Sequence, residues 1–171
     1  MNKGTLYLFD TTVLLALIRG RELGRYINHT FTLSDVINKP LISVVSHGEI
    51  WVMAERNGWG EKKRQALSEM LGDLVTLDLN DRSIIEAYVE VDKKNRSHPK
   101  GARVLSDNDK WIAATSRAAS AVLLTTDQDF IHLNPDVCTA HYVDPRSRLP
   151  QSNAGTQQEL PWARRVAQKS S

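Results

Sequence analysis

Short apolar runs alternate along the chain with segments whose apolar residues recur every three or four positions. Thr5–Phe9 (TLYLF), Leu41–Val45 (LISVV), Leu74–Leu79, Ala121–Thr125 (AVLLT) and Thr139–Val143 are short and aliphatic or aromatic, and read as strands. Between them, Thr12–Arg19 reads as a buried helix closed by Gly20, and Ser46–Arg56 as a helix ending near Gly58. Lys62–Leu71 carries Leu67, Met70 and Leu71 on one helical face. Asp81 is placed to cap a helix in which Ile84, Ile85, Tyr88 and Val89 recur at helical spacing, and Asp107–Ala119 reads as another helix. Residues 21–40 are mixed and end at Pro40; residues 95–105 read as a loop through Pro99 and Gly101, and Asp127–Leu133 as a short turn. Strands that alternate with helices favour a parallel sheet, because each parallel connection needs a crossover and the crossovers cover both faces. The expected class is therefore α/β, with a central parallel sheet flanked by helices.

Composition narrows this picture. The chain has 171 residues, 41% of them hydrophobic and 25% charged, close to an ordinary globular domain and unlike a disordered, collagen-like or coiled-coil chain. A chain of this length buries enough surface to need no staple, and its one cysteine, Cys138, makes no internal disulfide and no Cys-based zinc site. The longest apolar run, Val13–Ile18, is far below the roughly 20 residues a bilayer requires, and Asp10 interrupts the apolar stretch that follows Lys3, so neither a membrane span nor a signal peptide is expected. The expected location is cytoplasmic, with no membrane partner. The net charge is +2, but from Arg146 onward five basic residues face Glu159 alone, which makes that tail net +4 and the remainder net −2. From Pro145 the composition turns to Ser, Gln, Asn, Pro and Arg, so residues 1–145 are expected to form the domain and 146–171 a flexible basic tail.

Open parallel sheets bind ligands beyond the carboxyl ends of their strands, and acidic residues fall there. Asp10 follows the first strand directly, and Glu49 lies four residues beyond the second, in the first turn of its helix. Asp107 and Asp109 open the helix before the fourth strand, and Asp127 lies two residues after that strand. Carboxylates brought together repel, so some must hold protons or a cation must bind. An all-oxygen set without His or Cys suits Mg²⁺ or Mn²⁺. Each acid also has a capping reading: Glu49 lies three after Ser46, Asp109 lies three after Ser106, Asp10 precedes Thr11 and Thr12, and Asp127 precedes the turn at Phe130. The two readings are compatible, since a carboxylate in a first turn can cap and still bind metal.

These residues carry a resemblance. LYLFDTTVLLALIRG resembles the opening of PIN-domain ribonucleases, LISVVSHGEI their second strand and following glutamate, and NDKWIAATSRAASAVLLTTDQDF their third and fourth acidic motifs. Order and spacing match along residues 5–143, and the chain is most similar to VapC-type toxins of bacterial toxin–antitoxin pairs. The resemblance implies a PIN-like three-layer sandwich and Mg²⁺- or Mn²⁺-dependent cleavage of RNA leaving 5′-phosphate and 3′-hydroxyl ends. By position it implies Asp10, Glu49, Asp109 and Asp127 as the catalytic, metal-holding acids. Thr11, Thr125 and Asn108 match supporting positions, while Asp107 and Asp129 are further carboxylates placed behind the four. It also implies a homodimer and a small antitoxin that blocks the site. The connection over residues 21–40 and the tail from Arg146 depart from the family pattern.

RNA needs cations or flat rings to hold it. Arg56, Lys62, Lys63 and Arg64, and Lys93, Lys94, Arg96, Lys100 and Arg103, are candidates, each with the plainer reading of a solvated helix face. Trp51 and Trp111 suit core packing, whereas Trp59, between two glycines, is expected to be exposed. A haloacid-dehalogenase-like reading of Asp10 fails at Thr12, where a second aspartate is wanted. The remaining alternative is a PIN-like module that binds RNA or protein without cutting.

Overall fold

The computed structural model describes residues 4–31, 39–98 and 105–150. Five strands form one parallel sheet: β1 (Tyr7–Phe9), β2 (Leu41–Ser43), β3 (Val75–Leu77), β4 (Val122–Thr125) and β5 (Ala140–Tyr142), in the order β3-β2-β1-β4-β5. Six α-helices lie among the described residues: α1 (Thr11–Arg19), α2 (Glu22–Thr30), α3 (Val44–Arg56), α4 (Glu61–Gly72), α5 (Arg82–Arg96) and α6 (Asp107–Ala118). A 3-10 turn spans Gln128–Leu133.

Alternation along the strands builds the layers. Successive strand residues point to opposite faces, so Phe9, Ile42 and Leu124 enter one core with Val13, Leu17, Ile50, Leu67 and Met70. Their neighbours Leu8, Leu41 and Leu123 enter a second core with Ile84, Val91, Ile112 and Phe130. Both faces are dry, which explains why the central strands read as unbroken apolar runs. The expected three-layer α/β architecture is the one observed.

Two expectations need correction. LISVV was expected to stay extended to Val45, but β2 stops at Ser43, whose hydroxyl accepts the Val45 amide at 3.3 Å and caps α3. That cap overrides the β preference of Val44 and Val45. It also moves Glu49 into the second turn of α3, so the Ser46–Glu49 capping box does not form; Ser46 is buried, and its hydroxyl has no hydrogen-bond partner among the described residues. The second correction is α2, a full helix inside a stretch read as mixed. Gly24 hides it. A Cβ there would stand 2.4 Å from the Ala16 carbonyl oxygen, so the glycine marks where α2 crosses α1 closely. The rest of the 21–40 stretch, residues 32–38, and the Pro99–Gly101 part of the loop lie outside the described residues.

The crossing makes a sharp prediction. Gly→Ala inside a helix ordinarily stabilises by up to about 1 kcal/mol. Gly24→Ala is expected instead to destabilise by about 1–3 kcal/mol through overpacking, lowering Tm by roughly 2–4 °C per kcal/mol. A thermal melt that is unchanged or higher would show that the helices can part without cost.

Candidate active site

The sheet places its switch point at the carboxyl ends of β1 and β4. The chain grows outward from β1 through β2 to β3, then returns to the other side of β1 for β4 and β5. At such a point the connections leave in opposite directions and open a crevice. Asp10 stands there, its amide bonded to the Leu124 carbonyl at 3.0 Å. It is the N-cap of α1 and is 3% exposed.

Every oxygen of this carboxylate is engaged. Oδ1 accepts the Thr11 amide at 2.7 Å, and Oδ2 accepts the hydroxyls of Thr12 at 2.6 Å and Thr125 at 2.8 Å. Burial nevertheless dominates: it pushes the Asp10 pKa up to about 6, the hydroxyl and amide donors offset part of the rise, and the charge of Asp109 adds to it.

Hydrogen bonds tie Glu49 and Asp127 to this centre, and charge couples Asp109 to it. Thr11 donates its hydroxyl to Glu49 Oε2 at 2.6 Å, and Asn108 donates Nδ2–H to Glu49 Oε1 at 2.7 Å. Glu49 thus clamps the start of α1 to the start of α6. Asp109 closes a capping box with Ser106: its Oδ2 accepts the Ser106 amide at 3.1 Å and hydroxyl at 2.6 Å. Its acidity is weakened first by burial, then by the charges of Glu49 and Asp127. Asp127 caps the 3-10 turn through the Asp129 amide at 2.9 Å and receives its own orientation from Thr125, whose hydroxyl accepts the Asp127 amide at 2.9 Å. The capping readings of Asp10, Asp109 and Asp127 are observed, and charge also acts within the group: Asp10 feels that of Asp109, and Asp109 those of Glu49 and Asp127.

The model for the PIN domain family matches residues 7–134. The chain belongs to the PIN domain family. PIN domains are in general nucleases, and they typically use divalent metal ions. Comparison with curated proteins gives no match. Among solved structures, the PIN domain is similar to the Rickettsia felis VapBC2 complex bound to a DNA fragment from its promoter, with a TM-score of 0.66 and 18% identity over 81% of this chain and 98% of that one. It is also similar to VapBC-1 from nontypeable Haemophilus influenzae, with a TM-score of 0.64 and 20% identity over 81% and 98%. A toxin–antitoxin complex from Klebsiella pneumoniae gives a TM-score of 0.56 and 24% identity over 80% and 99%.

Within this PIN domain the donor set fits a hard divalent cation. It is all oxygen, its members feel one another's charge, and the most buried of them carries a proton affinity that a cation would relieve. That fit is one of donor chemistry: among the described residues no three His, Cys, Asp or Glu side chains are placed so that they could hold a metal ion together. Hydroxyl and amide donors hold these carboxylates instead, which lowers their mutual repulsion. Asp107 is not drawn into the group; its carboxylate pairs with Lys110 Nζ at 2.8 Å and accepts the Tyr88 hydroxyl at 3.4 Å. Asp129 contributes its amide to Asp127, and its carbonyl meets His132 Nδ1 at 2.7 Å.

The reading of the sequence missed Thr12. Its hydroxyl donates to Asp10 and accepts the Thr126 amide at 3.2 Å, so it joins the ends of β1 and β4. The Asp-Thr-Thr run held that signal, but the reading gives site roles in it only to Asp10 and Thr11. Several candidate RNA-holding cations are paired off: Arg64 with Glu55 at 2.6 Å, Lys94 with Asp136 at 2.7 Å and Arg96 with Asp92 at 2.9 Å. Lys100 and Arg103 lie outside the described residues. Trp59 is half-buried against the first core rather than exposed, with Lys63 Nζ 3.5 Å from its ring centroid. Trp111 stacks on Tyr88 at 3.9 Å. Cys138 is buried, with its thiol pushed up to about 12 by burial.

Proposed function

We propose that the chain is a divalent-metal-dependent endoribonuclease and the toxin of a toxin–antitoxin pair, held in check by a small antitoxin. Asp10, Glu49, Asp109 and Asp127 would hold Mg²⁺ or Mn²⁺. The observation that carries the reading is Asp10: a carboxylate buried at the switch point of the sheet, short of acidity, linked through Thr11 to Glu49 and through Thr125 to Asp127, and within reach of the charge of Asp109. When bound, the cation supplies charge neutralisation for the scissile phosphate and activation of water.

The chain's own residues set the geometry. Asp10 and Asp127 share Thr125, so β4 positions both. Glu49, whose two oxygens are fixed by Thr11 and Asn108, is the acid assigned to orient a water through its remaining lone pairs. The solved structures that share the fold are described as toxin–antitoxin complexes, which supports the antitoxin partner. Residues 1–145 are taken as the nuclease unit, working as a homodimer, and 146–171 as a basic appendage. The first residues of that appendage lie against the domain, with Arg146 paired to Asp144 and Arg148 to Glu22. Among the described residues no helix is long and apolar enough to cross a membrane.

The test is incubation of the purified protein with total cellular RNA in Mg²⁺, Mn²⁺ or EDTA. Discrete fragments with 5′-phosphate ends, formed only with metal, are expected. Absence of cleavage with metal binding demonstrated would favour the binding-module alternative.

A further inference from the structure

A cleft of about 810 Å³ opens beside the acids. One end is formed by Thr12 and Thr126, the pair linked to Asp10; the floor is Leu15, Ala16 and Leu23. Arg19, Arg21, Arg25 and Arg148 line the rest with a single acid, Glu22.

The charge here is unbalanced. Arg148 pairs with Glu22, but Arg19, Arg21 and Arg25 form no salt bridge to any described carboxylate, and all three are exposed. Lys63 stands close enough that Arg19 and Arg21, together with burial, lower its proton affinity. The start of α2 adds to the effect, since its N-cap Arg21 makes no side-chain capping bond and leaves the helix amides to another acceptor. Exposed cations gathered without counter-charge repel one another, and a polyanion relieves that repulsion.

On the nuclease reading above, we infer that this α1–α2 cleft binds the sugar-phosphate backbone of the RNA on one side of the scissile bond. The acids alone would repel a polyanion. A basic channel that begins at Thr12 holds the flanking phosphates while its apolar floor takes ribose or base. A single strand lying along it ends at Thr12, whose hydroxyl is bonded to Asp10. An acidic peptide would find the same arginines but would meet the carboxylates at the Thr12 end.

The experiment measures binding of a labelled single-stranded RNA of about 12 nucleotides, in EDTA, across a salt series. For every phosphate that no longer meets a cation, the plot of log affinity against log salt should flatten by about 0.7. The Arg19→Ala/Arg21→Ala double variant is therefore expected to lose about 1.4 from the slope and at least tenfold in affinity, and with metal to show a raised KM more than a lowered kcat. Arg19→Lys should retain most of the binding. Arg82→Ala, on α5 and paired with Glu86, should change neither quantity. A double variant that melts like wild type and keeps its RNA affinity and slope overturns the inference while leaving the nuclease reading intact. The same holds if it loses only affinity for a polyglutamate peptide. A wild-type protein that neither binds nor cuts RNA removes both.

Discussion

Asp10→Asn is expected to abolish RNA cleavage and, in the same protein, to raise the melting temperature of the metal-free fold. The two effects share a cause. Asp10 is buried and its pKa stands at about 6 against 3.8 for the free side chain. Between those values the native state binds a proton that the unfolded chain does not. Stability therefore falls as pH rises from about 4 to about 6 and stays lower above that, with at most about 3 kcal/mol at stake for a shift of this size. Asparagine keeps the volume and removes the charge but gives up part of the hydroxyl network, so a net gain of about 1–2 kcal/mol is expected at pH 7.5. That corresponds to roughly 2–8 °C in a melt run with EDTA. At pH 4.5 the gain should vanish, since wild-type Asp10 is then protonated. Activity should drop at least about 100-fold, because even partners that merely orient a ligand cost 10–100-fold when lost. Added Mn²⁺ should stabilise wild type and not the variant. Cleavage at the wild-type rate would sink the role of Asp10; a metal-free melt that does not rise would sink the burial argument and leave the role standing.

Glu49 should show the second large effect. Its carboxylate links the start of α1 to the start of α6, through Thr11 at 2.6 Å and Asn108 at 2.7 Å. Glu49→Ala is expected to lower kcat/KM by at least about tenfold and at most a few hundredfold. Asn108→Ala breaks only one of the two links and should cost less. The double variant separates two ways of acting. If Glu49 works only by steadying α6 and hence Asp109, its removal in the Asn108→Ala background should cost little more. If it touches water or cation directly, the full loss should persist there. A Glu49→Ala enzyme with unchanged kcat/KM would remove it from the site.

The sequence by itself determined the α/β class, the strand cores and the places where acids meet strand ends. The reason is local: a strand buried on both faces must be apolar throughout, and a residue that follows it must lie at the sheet edge. Gly20 as the close of α1 was legible too, since it adopts φ 61 there. Tertiary structure decided the rest. Val44 and Val45 read as strand until Ser43 caps a helix beneath them. Residues 21–40 read as mixed until Gly24 is seen packed against Ala16 in α2. Spacing from Ser106 and resemblance set Asp109 ahead of Asp107, and the fold supplies the geometry: two positions along a helix turn a side chain by about 200°, so Asp107 meets Lys110 and Tyr88 while Asp109 feels the charges of Glu49 and Asp127. Arg19, Arg21 and Arg25 carried no motif, whereas Arg64, Lys94 and Arg96 looked equally suited to RNA. Which cations keep their charge unpaired depends on where distant carboxylates fall, and only the packed chain settles that.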